Sequence, residues 1–159
     1  MLRPARTDDT PALIDLAIAT ELFLPEEAAF LGGMLADFHA GRAGADHRVQ
    51  IWADDPPAQP AGVVYFGPNA LGDRTWDLIW ISVAPDRQGQ DIGGELIRFT
   101  EAHIQEAGGR MLLIETSSLP RFAATHAFYG KHGYTKVARI PDFYADGDSK
   151  VIFAKRIAD

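Results

Sequence analysis

The alternation of apolar and polar positions changes period several times along the chain. Residues 2–6 read as a short strand, and Thr7-Asp8-Asp9-Thr10-Pro11 then offers cap residues and a first-turn proline for a helix through about Leu22. Pro25 and the Gly32-Gly33 pair punctuate a second, less regular helical region ending near Gly41. Residues 49–53 and 61–67 are β-rich runs joined by the proline-bearing Asp54-Asp55-Pro56-Pro57-Ala58-Gln59-Pro60, which can neither pair in a ladder nor continue a helix. A third run, 75–83, ends just before Pro85. From Ile92 the positions Ile92, Leu96, Phe99, Ile104 and Ala107 return to helical spacing, and Gly108-Gly109 supplies a stop. Met111-Leu112-Leu113-Ile114 is a continuous apolar run suited to a strand buried on both faces, and Glu115-Thr116-Ser117-Ser118 turns polar where that strand emerges. Residues 121–132 predict a helix closed by Gly133, and 134–140 and 150–156 predict strands joined across Asp146-Gly147-Asp148.

The order is β-α-α-β-β-β-α-β-α-β-β, which calls for a mixed sheet with helices on its faces, an α/β or α+β fold. A doubly wound dinucleotide fold would alternate strand and helix from the start, whereas here three strands in a row precede the glycine-containing segment. The 159 residues, 47% of them hydrophobic, match one domain spanning 1–159; a chain near this size buries roughly 70% of its unfolded surface.

Charge and cysteine content narrow the function. With 15 basic and 22 acidic residues the net charge is -7, which argues against a nucleic-acid surface and does not repel a cationic amine. The absence of cysteine removes disulfides, thiolate metal sites and thiol nucleophiles. The opening residues lack the apolar core of a signal peptide, and no stretch approaches the ~18 apolar residues of a membrane span. A cytoplasmic location without membrane or metal is the expectation, since His39, His47, His103 and His132 show no metal-ligand spacing.

The chemistry concentrates after the third strand run. A phosphate ester approaches a backbone closely only where side chains are absent, and the first turn of a helix adds unpaired N–H groups and a positive dipole end. Gln88-Gly89-Gln90-Asp91-Ile92-Gly93-Gly94 combines these conditions: its three glycines remove Cβ obstruction, Gln88 can donate its amide, and the N–H groups of residues 90–94 can face two phosphates. No G-x-x-x-x-G-K-[ST] occurs, so a nucleoside-triphosphate P-loop is excluded as a motif.

The stretch from Val83 to Ile97 resembles the acetyl-CoA signature of the GCN5-related N-acetyltransferases (GNAT), a strand ending V-x-P followed by [RQ]-x-x-G-x-[GA] opening a long helix. Gln88 takes the Arg/Gln place and Gly93 the final place, while Asp91 replaces the intervening glycine. A carboxylate beside a pyrophosphate is repelled at close range, so Asp91 is expected to turn away and cap its own helix, using the tolerance of Asp for left-handed backbone. Residues 125–134, Thr-His-Ala-Phe-Tyr-Gly-Lys-His-Gly-Tyr, are similar to the family's late T-R-x-F-Y-x-x-x-G-[FY] pattern, with His126 where arginine is commoner. Leu2-Arg3-Pro4-Ala5 with Asp8 resembles its opening strand and helix.

The resemblance implies the GNAT acyl-CoA N-acyltransferase fold, with a mixed, mostly antiparallel sheet. It implies acetyl-CoA as acyl donor and transfer to a primary amine by direct attack through a tetrahedral intermediate, with homodimer formation allowed. Backbone N–H groups of Ile81, Ser82 and Val83 would bind the acyl carbonyl and pantetheine, residues 88–94 the pyrophosphate, and His126 a coenzyme phosphate or a shuttled proton. Tyr129 matches the tyrosine that protonates the departing thiolate. An amine nucleophile must also lose a proton, and Glu115 is the first choice of base, Asp77 the second. Trp76, Trp80, Phe143 and Tyr144 are candidate acceptor-pocket walls, with Trp76 and Trp80 expected on one strand face. A non-catalytic acyl-CoA-binding module and a nucleotide-binding domain are the competing readings.

Overall fold

The computed structural model describes residues 1–158. The elements follow the predicted order: β1 (Leu2–Pro4), α1 (Thr10–Ala19), α2 (Ala28–His39), β2 (Arg48–Ala53), β3 (Pro60–Pro68), β4 (Thr75–Val83), α3 (Ile92–Glu106), β5 (Met111–Ser117), α4 (Ala123–Lys131), β6 (Thr135–Ala145) and β7 (Asp148–Arg156). The seven strands form one mixed sheet in the order β1-β2-β3-β4-β5-β7-β6, flanked by helices. β4 and β5 run parallel, pairing Thr75–Leu78 with Met111–Ile114, and the β1/β2, β2/β3, β5/β7 and β6/β7 pairs are antiparallel. No helix among the described residues is long and apolar enough to cross a membrane.

Contacts group the chain into two compact units, one of Met1–Gly67 with Trp80–Thr100, the other of Pro68–Ile79 with Glu101–Asp159. In the first unit, Leu13, Leu16 and Ala17 of α1 and Leu31 and Leu35 of α2 pack on Val49, Ile51, Val63, Tyr65 and Trp80. The alternate residues of β3 face α3: a Cβ on Gly62 would lie 2.7 Å from Ile92 Cγ2 and 3.0 Å from Leu96 Cδ1, and the Phe66 and Phe99 rings meet edge to face. Gly62 therefore sets how closely α3 can approach the strand. Arg3 clamps Asp9 with two 2.8 Å hydrogen bonds, and the Arg6 N–H donates to the same carboxylate. In the second unit Leu112 and Ile114 of β5, Val151 and Phe153 of β7, Phe122 and Tyr129 are buried, and the Tyr129 ring packs on that of Phe153.

Several boundaries depart from the pattern. α1 stops at Ala19, short of Leu22, because Glu21 adopts φ 60°. β5 is not buried on both faces; it alternates, with Leu112, Ile114 and Thr116 buried and Glu115 exposed, and it runs on to Ser117 because β7 pairs with it that far. β6 extends to Ala145 and is exposed throughout, as the outermost strand of the sheet. Trp80 joins the core under α1 and α2, edge-on to Phe23, and Trp76, in the second unit, stands edge-on to His103 of α3. Both residues are buried.

Candidate functional site

The first unit holds the glycine segment. Beyond Val83 a single turn, Pro85–Arg87, delivers the chain to Gln88, and α3 begins at Ile92. Gly89 adopts φ 81° and a Cβ there would meet nothing within 4 Å, so the loop is open at that point. Among the described residues no backbone group accepts a hydrogen bond from the amides of Gln88, Gly89 or Gln90. The N–H groups of Ile92, Gly93 and Gly94 occupy the first turn of the helix, where no residue of the preceding turn can accept from them. An open loop leading into such a turn fits a pyrophosphate.

Asp91 adopts φ 62°, the left-handed conformation for which the motif otherwise uses glycine. Its backbone carbonyl accepts the N–H of Glu95 at 2.9 Å, as an N-cap residue does, and its Oδ2 accepts from Arg98 Nη2 at 2.6 Å. A Cβ on Gly94 would overlap Asp91 Oδ1, so the carboxylate folds over the first turn of its own helix. The missing Cβ of Gly94 makes room for that carboxylate.

The loop is held by contacts that the pattern of glycines does not announce. Arg87 reaches Asp54 through Nη1 at 2.9 Å and Nη2 at 3.3 Å, donates from Nε to Gln90 Oε1 at 3.0 Å, and lies 5.4 Å from the Trp52 ring centre. Trp52 Nε1 in turn donates to Glu95 Oε2. Gln88 turns its side-chain amide to the Val83 carbonyl at 3.4 Å.

Ile81 and Ser82 are buried and Val83 is half-buried. The Ser82 hydroxyl accepts from Trp80 Nε1 at 2.7 Å and lies 3.3 Å from Thr20 Oγ1. Since Thr20 Oγ1 donates to the Ala17 carbonyl at 2.9 Å, the Ser82 hydroxyl donates to Thr20. A directed chain thus runs from the indole of β4 to the C-terminus of α1.

The second unit holds Tyr129, Glu115, His126 and Asp77. Tyr129 is 4% exposed, packed among Phe128, Tyr134 and Phe153. Burial alone pushes its phenol well above the usual tyrosine range, and its hydroxyl makes no hydrogen bond among the described residues. His126, one turn earlier, tilts over Phe153 at 5.3 Å and places Nε2 2.9 Å from the Ser117 carbonyl oxygen. Glu115 is exposed and paired with Lys150 Nζ at 3.1 Å. That ammonium also sits 3.6 Å from the centre of the Phe143 ring and 5.9 Å from that of Tyr144, both half exposed at the end of β6. Asp77 of β4 accepts two hydrogen bonds, at 3.1 and 3.0 Å, from Nδ2 of Asn69 in the β3–β4 connection. Among the described residues no group of three His, Asp or Glu side chains could hold a metal ion.

Three features escaped the sequence reading. Arg98 was readable in principle, since a residue two helical turns beyond Asp91 shares its side of the helix. The Arg87–Asp54 clasp and the Lys150–Glu115 pair join residues far apart in the chain and needed the strand register.

A family profile described as an acetyltransferase (GNAT) domain matches residues 46–136. Among solved structures, a protein from Desulfovibrio desulfuricans assigned to the acetyltransferases of the GNAT family is 29% identical, with 99% of both chains covered and a TM-score of 0.90. The ribosomal-protein-S18-alanine N-acetyltransferase of Escherichia coli superposes with a TM-score of 0.76 at 18% identity, over 100% of this chain and 94% of its own. The Salmonella typhimurium protein yncA, solved with its cofactor acetyl-CoA, does so with a TM-score of 0.78 at 16% identity, over 100% and 94%. At these identities the last two speak for the fold alone. No protein of curated function matches the sequence.

Proposed function

This chain belongs to the GNAT acetyltransferase family, and we propose that residues 1–159 act as one N-acetyltransferase domain that moves the acetyl group of acetyl-CoA to a primary amine. The observation that carries this reading is Tyr129, whose ring is buried among Phe128, Tyr134 and Phe153 and whose hydroxyl makes no hydrogen bond among the described residues, at the position of the family's thiolate-protonating tyrosine. Burial keeps the phenol protonated, so the proton a departing thiolate needs is present, and a hydroxyl not engaged in a hydrogen bond is available to give it.

The roles follow from what the transfer requires. The neutral amine forms a C–N bond to the acetyl carbonyl carbon, and backbone N–H groups of Ile81, Ser82 and Val83 stabilise the oxygen that gains charge. As the C–S bond breaks, Tyr129 gives its proton to the sulfur, and Glu115 accepts the proton that the amine must lose. The amides of residues 88–94 hold the pyrophosphate, and Asp91 keeps the backbone of that loop in the conformation a glycine would take. The open loop, the acetyl-CoA bound by yncA and the family assignment support the donor. His126 contributes by closing the end of β5 through the Ser117 carbonyl.

The test is a panel of primary amines (amino acids, polyamines, aminoglycosides, peptide amino termini) with acetyl-CoA and thiol detection. Amine-dependent release of coenzyme A is the expected result. Thermal stabilisation by coenzyme A with no thiol release across the panel would favour a non-catalytic acyl-CoA-binding module, and stabilisation by nucleoside phosphates in its place would favour a nucleotide-binding domain.

A further inference from the structure

The segment 83–100 contains two cations, Arg87 and Arg98, and three anions, Asp86, Asp91 and Glu95. Arg87 is committed to Asp54, outside the segment, and Glu95 to the Trp52 indole. Arg98 is therefore the cation directed at the first turn of α3. Side chains on a helix lean toward its N-terminus, and Arg98 does so far enough that its Nη2 meets Asp91 Oδ2 at 2.6 Å while its Nη1 lies 2.9 Å from where a Cβ of Gly94 would stand. The guanidinium thus covers Gly94 and the Asp91 carboxylate together, at the turn whose amides face outward.

We propose that Arg98 is a coenzyme-binding determinant whose charge is needed because Asp91 occupies a glycine position of the phosphate loop. The inference rests on the acyl-CoA reading above. Asp91 supplies the left-handed backbone at the cost of a negative charge beside a pyrophosphate, and Arg98 cancels that charge and draws the carboxylate down the helix. The pair is exposed, with side-chain exposures of 55% and 60%, so its contribution to folding is small. Its consequence falls on an anionic ligand, whose repulsion by one uncancelled charge a few ångströms away is felt directly.

A double-mutant cycle tests this through coenzyme A affinity measured by titration calorimetry, with the unliganded thermal midpoint of each variant as a control. Arg98→Gln is expected to weaken coenzyme A binding about tenfold at low ionic strength, with the loss shrinking as salt is raised. Arg98→Lys should stay within about threefold of the native protein, because charge and not fork geometry is required. Asp91→Gly should bind at least as tightly as the native protein, and adding Arg98→Gln to it should change affinity by less than about threefold. An equal loss on removing Arg98 in both backgrounds, or none in the native one, would overturn the proposal while leaving the acyl-CoA reading intact. A native protein that binds no coenzyme A would overturn both.

Discussion

Glu115 and Tyr129 stand on opposite faces of the β5–β7 ladder. Ile114 is paired with Phe153, on whose ring Tyr129 rests at 5.5 Å, whereas Glu115 is the next residue and shares its face with Lys150. Successive strand side chains point to opposite faces, so no side-chain network can pass a proton directly between the two. If both serve one reaction, the proton donor and the proton acceptor do so from different faces of these strands.

For Tyr129→Phe the expected result is a fall in kcat of about a hundredfold, the scale of one positioned acid, with little change in KM for acetyl-CoA. The thermal midpoint should hold, since the hydroxyl has no hydrogen bond among the described residues to lose and the buried ring stays in place. Steady-state thiol release and a thermal melt check both halves. An unchanged kcat would remove Tyr129 from the chemistry.

Glu115→Gln separates the proposed base from the Lys150 ion pair. It should lower kcat by about ten- to a hundredfold, while stability moves by less than about 1 kcal/mol because the pair is solvent-screened on the glutamate side. A stability loss without a kinetic one would make the residue structural.

Ser82→Ala leaves the buried Trp80 indole N–H without its acceptor and cuts the chain to Thr20. The expected cost is about 1–3 kcal/mol, the penalty of an unsatisfied buried donor, read from the denaturant midpoint. Ser82→Thr retains the hydroxyl and should recover part of it.

The Arg3 hydrogen bonds hold the Asp9 carboxyl below the ordinary carboxylate range, outweighing the opposing effect of burial. A folded pKa lower than the unfolded one stabilises the fold fully above the unfolded value of about 3.9. That contribution is lost as pH falls through the folded value. Unfolding free energy should thus decline below about pH 4, and Asp9→Asn should be destabilised at neutral pH by about 1–3 kcal/mol and decline less steeply in acid. Denaturant titrations at neutral pH and in acid measure both.

Much of the fold was legible because its signals are local. The glycine and proline stops, the helical spacing from Ile92 and the unbroken run 75–83 each depend on neighbours in sequence, and β4 and the start of α3 fall where the pattern places them. The glycine segment and the Tyr129 pattern were readable for the same reason. The alternating burial of β5 was not, since four apolar residues in a row look the same whether one face or both are covered.

The chain alone determined the order of its elements, its family and the backbone-driven features of the phosphate loop, including an aspartate able to take a left-handed conformation at position 91. Each of these rests on interactions between residues a few positions apart. Tertiary structure decided which charges meet: Arg87 with Asp54, and Lys150 with Glu115. It also decided that Glu115 and Tyr129 face opposite ways and that the Tyr129 ring is buried against Phe153. Those outcomes depend on strand register and on how closely helices dock, and a Coulomb or packing energy exists only once distances across the fold are set.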